Sequence, residues 1–208
     1  SAILPDVLRS GSRYGKFRDF VSYKMEAKCA IWGQFNARTD VDVFTISGNI
    51  NTSTTKQVSW FEELGDYKKL SDFYDVRIGP LVAYRDPEEG PLLPYFYSKN
   101  CPAWQTIEKS SEMRRFSKTH INPPIVVIKR TSSPSNKDRA SATIINLNTP
   151  VAIENHLIII KPKNGTLDEC EKLLNVLKSE KTNDFLNQRA RMRHLTVDIV
   201  KKIPINKV

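Results

Sequence analysis

The chain has 208 residues, of which 39% are hydrophobic and 26% charged, and this composition excludes disordered and fibrous proteins. No stretch reaches the roughly 18 apolar residues of a membrane helix, and the N-terminal sequence lacks the order of a secretory signal. The three cysteines are far apart and odd in number, as expected for reduced thiols. The sequence therefore predicts a soluble, cytoplasmic protein with no membrane partner.

The net charge of +9 is unevenly distributed along the chain. Residues 1–108 hold 13 basic and 14 acidic side chains, whereas residues 109–208 hold 19 basic and 9 acidic ones. A basic excess confined to one half of a folded chain is typical of a polyanion-binding surface, and nucleic acid is the first candidate. The alternative is a basic face that only keeps the protein in solution.

The predicted elements begin with a helix over Tyr14–Ala27, where apolar residues recur at helical spacing. Runs of β-branched and aromatic residues predict strands at Cys29–Trp32 and Val41–Ile46. The polar segment Asn51–Gln57 follows, and we interpret it as an exposed loop and the first domain boundary.

The middle of the chain is less regular. We expect a short strand or turn at Val58–Phe61, a short helix over Tyr67–Tyr74, and a strand over Val76–Tyr84 that is broken at Gly79-Pro80. Seven of the twelve prolines lie between residues 80 and 124. Because proline disfavours helix and central strands, short strands joined by long loops are expected there.

The last part of the chain combines apolar strands with amphipathic helices. The predicted central strands of a small sheet are Ile125–Ile128, Ala142–Ile145 and His156–Ile160. The predicted helices are Leu167–Leu177, for which Gly165-Thr166 can supply an N-cap, then Thr182–Asn187, and Thr196–Lys201, which stops before Pro204.

Motifs for metal or nucleotide binding are missing from the sequence. The three histidines are scattered, and the eight glycines do not group into a phosphate-binding loop. One weak pattern, Asp42 with Asp66 and Lys68, has the spacing by which some nucleases hold a divalent ion. Another, Asn122-Pro-Pro-Ile125, is similar to a methyltransferase motif but has isoleucine in place of the stacking aromatic, so a loop that enters a strand is the preferred interpretation.

Two basic segments are candidates for DNA binding. The first leaves a strand as a loop rich in cations and hydroxyls, with candidate contacts at Lys129, Arg130, Thr131, Ser132, Lys137 and Arg139. The second alternates cations after a helix, so an extended or bent segment would aim Arg189, Arg191 and Arg193 in one direction, with His194 next to them. A solvated loop in the first case, and pairing with local acids in the second, are the alternatives.

Several segments resemble the C-terminal part of adenine-specific DNA methyltransferases of bacterial restriction-modification systems. Residues 7–18 and 35–44 are similar to the end of the catalytic domain of that family. The segments similar to its target-recognition region are 76–82, 123–132, 151–157, 173–179, 193–196 and Pro204. Within them, Lys129-Arg130-Thr131-Ser132 and Glu154-Asn155-His156 are the more specific motifs, and the resemblance adds Asn155 and His156 to the DNA-binding candidates.

The resemblance implies an α+β fold in which residues 1–50 are the closing helix and strand pair of a doubly wound catalytic domain. Residues 51–208 would be the DNA target-recognition domain, a small mixed sheet with C-terminal helices. The S-adenosylmethionine loop and the catalytic motif are not in this sequence, so the chain is expected to be a fragment that is inactive alone, holds no cofactor, and binds double-stranded DNA beside a missing catalytic domain.

Two alternatives stay open. One is a restriction nuclease or specificity subunit that uses Asp42, Asp66 and Lys68 with a divalent metal. The other is an assembly subunit whose basic face meets an acidic protein.

Overall fold

The computed structural model describes residues 1–50 and 58–205, which form two compact units. The first unit contains Ser1–Asp66 and Leu186–Arg193, and the second contains Tyr67–Phe185 and His194–Val208. The loop predicted over Asn51–Gln57 lies outside the described residues. The boundary between the two units falls after Asp66 and not after residue 50. The C-terminal segment Leu186–Arg193 also belongs to the first unit. That residues 1–50 derive from a catalytic domain stays a prediction.

The first unit is built on a long antiparallel strand pair. Its elements are β1 (Ala2–Pro5), α1 (Asp6–Ser10), a 3-10 turn (Ser12–Tyr14), α2 (Gly15–Lys24), β2 (Met25–Asn36) and β3 (Thr39–Ile50). Among the described residues these strands form a sheet of order β1-β3-β2. Gly48 faces Ala27 across the pair, and a Cβ at Gly48 would lie less than 3.0 Å from the Ala27 backbone, so glycine lets the two strands approach.

The core of the first unit lies under this sheet, around Phe44 and Ile46, which are both almost fully buried. Trp60 packs against Phe44 and donates its indole N–H to Ser22 at 2.9 Å. A buried ion pair joins Arg9 Nε to Asp6 at 2.7 Å. Because both charges are removed from water, each needs the other to remain buried at tolerable cost.

The predicted helix and strands of the first unit are confirmed in place, with different ends. The helix stops at Lys24 and not at Ala27, because Met25 already pairs with Ile50 as β2 begins. The strands extend beyond their apolar runs, since strand pairing satisfies the backbone groups of polar residues as well.

The second unit follows with short strands and then helices. Its elements are β4 (Lys68–Lys69), α3 (Leu70–Phe73), β5 (Tyr74–Ile78), β6 (Leu92–Phe96), β7 (Thr106–Ile107), β8 (Met113–Arg115), β9 (Ile125–Lys129), β10 (Ala142–Ile145), β11 (Ala152–Ile153), β12 (Leu157–Pro162), α4 (Leu167–Lys178), α5 (Glu180–Arg189), α6 (Val197–Lys201) and β13 (Pro204–Ile205). Helix α5 runs across the division, since its residues from Leu186 onward belong to the first unit.

A mixed sheet forms the centre of the second unit. Within the described residues its order is β5-β12-β9-β10-β7, with β7 parallel to β10 and the other pairs antiparallel. The three predicted central strands are confirmed as β9, β10 and β12. Their apolar side chains are buried on both faces, which accounts for the continuous apolar runs in the sequence.

Each face of this sheet is covered by a different layer. Helix α4 packs on one face through Cys170, Leu173 and Leu177, and Thr166 caps it by accepting a hydrogen bond from the Glu169 amide at 3.4 Å. On the other face, Phe96 of β6 and Ile153 of β11 pack against the sheet. The α+β class is confirmed.

The irregular middle of the chain also follows the expectation. The predicted helix at 67–74 shortens to Leu70–Phe73, and the Asp72 carboxylate accepts a hydrogen bond from the Lys69 amide at 2.8 Å. Strand β5 stops at Ile78, so the predicted break at Gly79-Pro80 is confirmed. The continuation of the strand to Tyr84 is wrong, because Leu81 makes only an isolated bridge and Ala83 and Tyr84 lie in a turn. Across the described ranges, no helix combines the length and the apolar character needed to cross a membrane.

Candidate nucleic-acid interface

The main chain of Arg130 joins three segments that are far apart in the sequence. The Arg130 amide donates a hydrogen bond to the carbonyl oxygen of His156 at 3.0 Å, and the Arg130 carbonyl accepts one from the Leu195 amide at 2.8 Å. The next residue, Thr131, forms an antiparallel bridge with His194. The structure thus brings together predicted contacts from the loop after β9, from the turn before β12 and from the segment before α6.

We call this group the Arg130 cluster. Its members, all in the second unit, are Lys129, Arg130, Thr131, Asn155, His156 and His194. The side chains of Thr131, His156 and His194 are exposed, while Lys129 and Arg130 are half-buried. Half-buried cations next to exposed polar groups can meet a ligand without moving far.

Two buried polar atoms of the Arg130 cluster have no hydrogen-bond partner in the part of the chain that the structure describes. They are Nε of Arg130, a donor, and Oδ1 of Asn155, an acceptor. A buried polar atom without a partner costs about 1–3 kcal/mol, so an arriving ligand that offers both a donor and an acceptor would gain from pairing with them. Base edges in the DNA grooves offer both kinds of group.

His156 contacts an acid within the part of the chain that the structure describes. Its Nδ1 lies 3.3 Å from the carboxylate of Glu154, and 57% of its side chain is exposed. A carboxylate beside one ring nitrogen orients the imidazole and leaves the other nitrogen available to a ligand.

The loop after β9 departs from the prediction at two positions. Arg139 is fully buried, and its Nε donates to the Ser132 hydroxyl at 2.9 Å. Its backbone amide donates to Asn183 of α5 at 2.8 Å. Ser132 is 2% exposed. The interpretation of Ser132 and Arg139 as DNA contacts is therefore corrected: both are turned inward and hold the loop in place, and Lys137 is the exposed cation that the loop presents.

The arginines of the second basic segment already have interaction partners within the first unit. Arg189 donates to the Glu62 carbonyl at 2.5 Å and lies 5.1 Å from the Phe61 ring centroid. Arg191 pairs with Asp42 at 3.3 Å, and Arg193 pairs with Asp40. The expected position of Arg189 after the helix is corrected, because Arg189 lies in the last turn of α5. The chain after it bends at Met192 and Arg193, in agreement with the bent form of the expectation. Pairing with local acids, the alternative interpretation, describes Arg191 and Arg193 here.

The two weak sequence patterns carry no site. Asp42 is engaged by Arg191, and the described residues contain no group of three or more metal-binding side chains. Ile125 is fully buried at the start of β9, and the Asn122 carbonyl accepts a hydrogen bond from Lys161 at 3.1 Å. The interpretation of this segment as a loop that enters a strand is confirmed.

Sequence reasoning did not find how these segments meet. The pairing of Arg130 with both His156 and Leu195 depends on tertiary structure, and a single sequence contains no local signal for it. It also placed Tyr84 at the end of a strand, whereas the side chain is 90% exposed and the residue lies in a turn.

No family model and no curated protein matches the chain. One similar solved structure comes from work on complex assembly and conformational transition of the type I R-M system. It is 16% identical to this chain, with a TM-score of 0.47, and the match covers 70% of this chain and 36% of that chain. The HsdS subunit from Thermoanaerobacter tengcongensis is 17% identical, with a TM-score of 0.44 over 68% of this chain and 33% of that chain.

A further solved structure, the type IIG restriction endonuclease BpuSI, is 12% identical, with a TM-score of 0.49 over 100% of this chain and 40% of that chain. The chain thus spans no more than 40% of the length of these three chains.

Proposed function

We propose that the second unit binds double-stranded DNA with sequence preference, as the target-recognition part of a restriction-modification adenine methyltransferase. The observation that carries the proposal is the Arg130 cluster. There, a half-buried arginine with an unpaired Nε stands beside exposed threonine and histidine side chains from three separate segments.

The residue types in the cluster suit base-edge contacts. An arginine can donate two parallel hydrogen bonds to guanine, and threonine and histidine can bond to several bases. The main chain of Arg130 is held on both sides, by His156 and by Leu195, so its side chain starts from a fixed position. Fixed placement is what discrimination between bases requires.

The surrounding charge suits the phosphate backbone. Residues 109–208 carry 19 basic and 9 acidic side chains. Lys129 and Lys137 make no side-chain hydrogen bond or ion pair within the described residues, so both ammonium groups are available to phosphates. Phosphate contacts position a protein on the duplex, whereas base contacts give it specificity.

Methyl transfer is assigned to a catalytic domain outside this sequence. The described residues do not fit the chemistry: the fourth position of the Asn122-Pro-Pro-Ile125 segment, where an aromatic ring would stack on the flipped base, is a fully buried isoleucine. The sequence also has no glycine-rich loop for S-adenosylmethionine. In this proposal the chain's own residues hold the duplex in register, and the partner domain extrudes an adenine from it.

A DNA selection with the 208-residue chain, followed by titration of the enriched duplex, tests the proposal. If about six to ten phosphates are contacted, the affinity should fall about a thousandfold or more between about 50 and about 200 mM salt. Charge reversal at Arg130 and Lys137 together should weaken binding strongly, while reversal of the exposed Arg77 and Lys99 serves as the matched control.

An enriched sequence that loses affinity in the first double variant and keeps it in the second supports the proposal. Selection without enrichment contradicts sequence-selective binding. Equal loss in both double variants would place the interface elsewhere, and binding to an acidic protein in place of DNA would favour an assembly subunit.

A further inference from the structure

Tyr84 is the most exposed of the large hydrophobic side chains in the described residues, with 90% of its surface open to solvent. It stands in a turn formed by Val82–Asp86. An exposed tyrosine ring contributes nothing to the core. The burial of its apolar face would be worth about 2 kcal/mol, and this stabilisation is missing while the ring stays in water. Scattered exposed aromatics are common, so the exposure needs a second observation before it indicates a contact surface.

That observation is the rigidity of the turn. The amides of Arg85 and Asp86 both donate hydrogen bonds to the Val82 carbonyl, at 3.0 and 2.8 Å. The Asp86 carboxylate in turn accepts a hydrogen bond from the Val82 amide at 2.8 Å. Arg114 reaches the turn from β8 and donates to the carbonyls of Ala83 and Asp86, at 3.0 Å each. The backbone on both sides of Tyr84 is therefore fixed.

A buried acid holds this arrangement together. The Asp86 side chain is 2% exposed and binds Lys118 Nζ at 2.6 Å, with Arg85 Nε 3.6 Å away. The side chains of Lys118 and Arg85 are themselves 54% and 64% exposed. The buried carboxylate is thus compensated by two cations that also face solvent. Of the two exposed acids that follow the turn, Glu88 pairs with Arg114 at 3.2 Å, and Glu89 is the other.

The turn is attached directly to the segment that carries Asn155 and His156. The Leu81 amide donates a hydrogen bond to the Ile153 carbonyl at 3.1 Å, and the Leu81 carbonyl accepts one from the Asn155 amide at 2.8 Å. Tyr84 is three residues beyond Leu81, so the two Cα atoms are at most about 11 Å apart. Tyr84 is therefore connected through Leu81 to the segment that carries Asn155 and His156.

We propose that Tyr84 stacks on a nucleobase of the bound DNA at a step that is partly unstacked, with Arg85 directed at the neighbouring phosphate. This inference rests on the proposed function and adds to it a stacking contact separate from the Arg130 cluster. An aromatic ring on a fixed turn loses little conformational freedom when it stacks, and stacking tolerates any base because every base has a π face.

Titration of Tyr84→Ala and Tyr84→Phe on the selected duplex tests the stacking contact. Alanine should weaken binding about 5- to 150-fold, whereas phenylalanine, which keeps the ring, should remain within about twofold of the original chain. The plot of affinity against salt should keep its slope in Tyr84→Ala, because stacking releases no counterion. Leu92→Ala, at a residue that is 54% exposed in the same unit, is the matched control and should not change affinity.

A second duplex with one mismatched pair within the selected site separates stacking from hydrogen bonding by the phenol. A mismatched base is easier to unstack. We therefore compare the ratio of the affinity of the original chain to that of Tyr84→Ala on each duplex. This ratio should be larger on some mismatched duplexes than on the paired duplex. If the phenylalanine variant loses as much affinity as the alanine variant, the contact is the hydroxyl and stacking is overturned.

Failure of this inference and failure of the proposed function give different results. If the original chain binds DNA and Tyr84→Ala binds equally well to both duplexes, the stacking contact is wrong and the proposed function stands. If the original chain enriches no DNA in the selection, both are wrong.

Discussion

The two basic segments that the sequence offers for DNA binding differ in their surroundings. In the segment 189–193, each arginine has a neighbour in the first unit that takes up its charge or its donors: Glu62, Asp42 or Asp40. In the Arg130 cluster of the second unit, Arg130 makes no side-chain hydrogen bond or ion pair within the described residues. The local supply of acceptors, and not the number of arginines, decides which region is available to a ligand.

Removal of an arginine that is fully engaged in structure should have the largest effect. Arg139→Ala would leave a cavity and remove the hydrogen bond from Nε to Ser132. We expect a loss of about 3–5 kcal/mol in the free energy of unfolding, measured in urea, as for other large-to-small changes in cores. Lys137→Ala, at an exposed neighbour in the same loop, should stay within about 0.5 kcal/mol. A small loss in Arg139→Ala would show that the loop is held by other contacts.

The next effect should appear in DNA discrimination. Arg130→Ala should reduce the difference in affinity between the selected duplex and its mismatched forms by about 1–3 kcal/mol, because a bidentate base contact is lost. Arg77→Ala is the control, since Arg77 is an exposed arginine of the second unit that lies on β5, outside the cluster. Unchanged discrimination in Arg130→Ala would assign base contacts to other residues.

The same contrast explains how much could be predicted from the sequence. Apolar runs predict β9, β10 and β12 because both faces of these strands are buried, and the helical spacing of Leu173 and Leu177 predicts α4. The side-chain partners of Arg139 and Arg191 come from residues 7 to about 150 positions away. No local pattern contains that information, so the sequence could place the basic segments but could not distinguish the buried arginines from the available ones.

A smaller effect is expected from Arg191→Ala, where the change falls on stability and not on DNA. Arg191 and Asp42 are 17% and 16% exposed, so their pairing is partly shielded from water. Removal of the arginine should lower the free energy of unfolding by about 1 kcal/mol, and the double variant with Asp42→Asn should lose less than the sum of the two single changes. The affinity for the selected duplex should change less than twofold. Uniform weakening on all duplexes would instead return Arg191 to the DNA interface.

The smallest effect is expected in the pH dependence of stability, through the turn that carries Tyr84. The hydrogen bond from Lys118, followed by that from the Val82 amide, holds the pKa of Asp86 below its ordinary value of 3.8. A carboxylate whose pKa is lowered by folding stabilises the protein above the unfolded pKa, and this stabilisation is lost as the pH falls through the folded pKa. Asp86→Asn should therefore unfold at lower urea than the original chain at pH 7, and the gap should narrow below about pH 4. Asp75→Asn, at an exposed carboxylate of the same unit, should show no such gap at any pH. A gap for Asp86→Asn that stays constant from pH 7 to pH 3 would mean that the charge of Asp86 does not hold the turn.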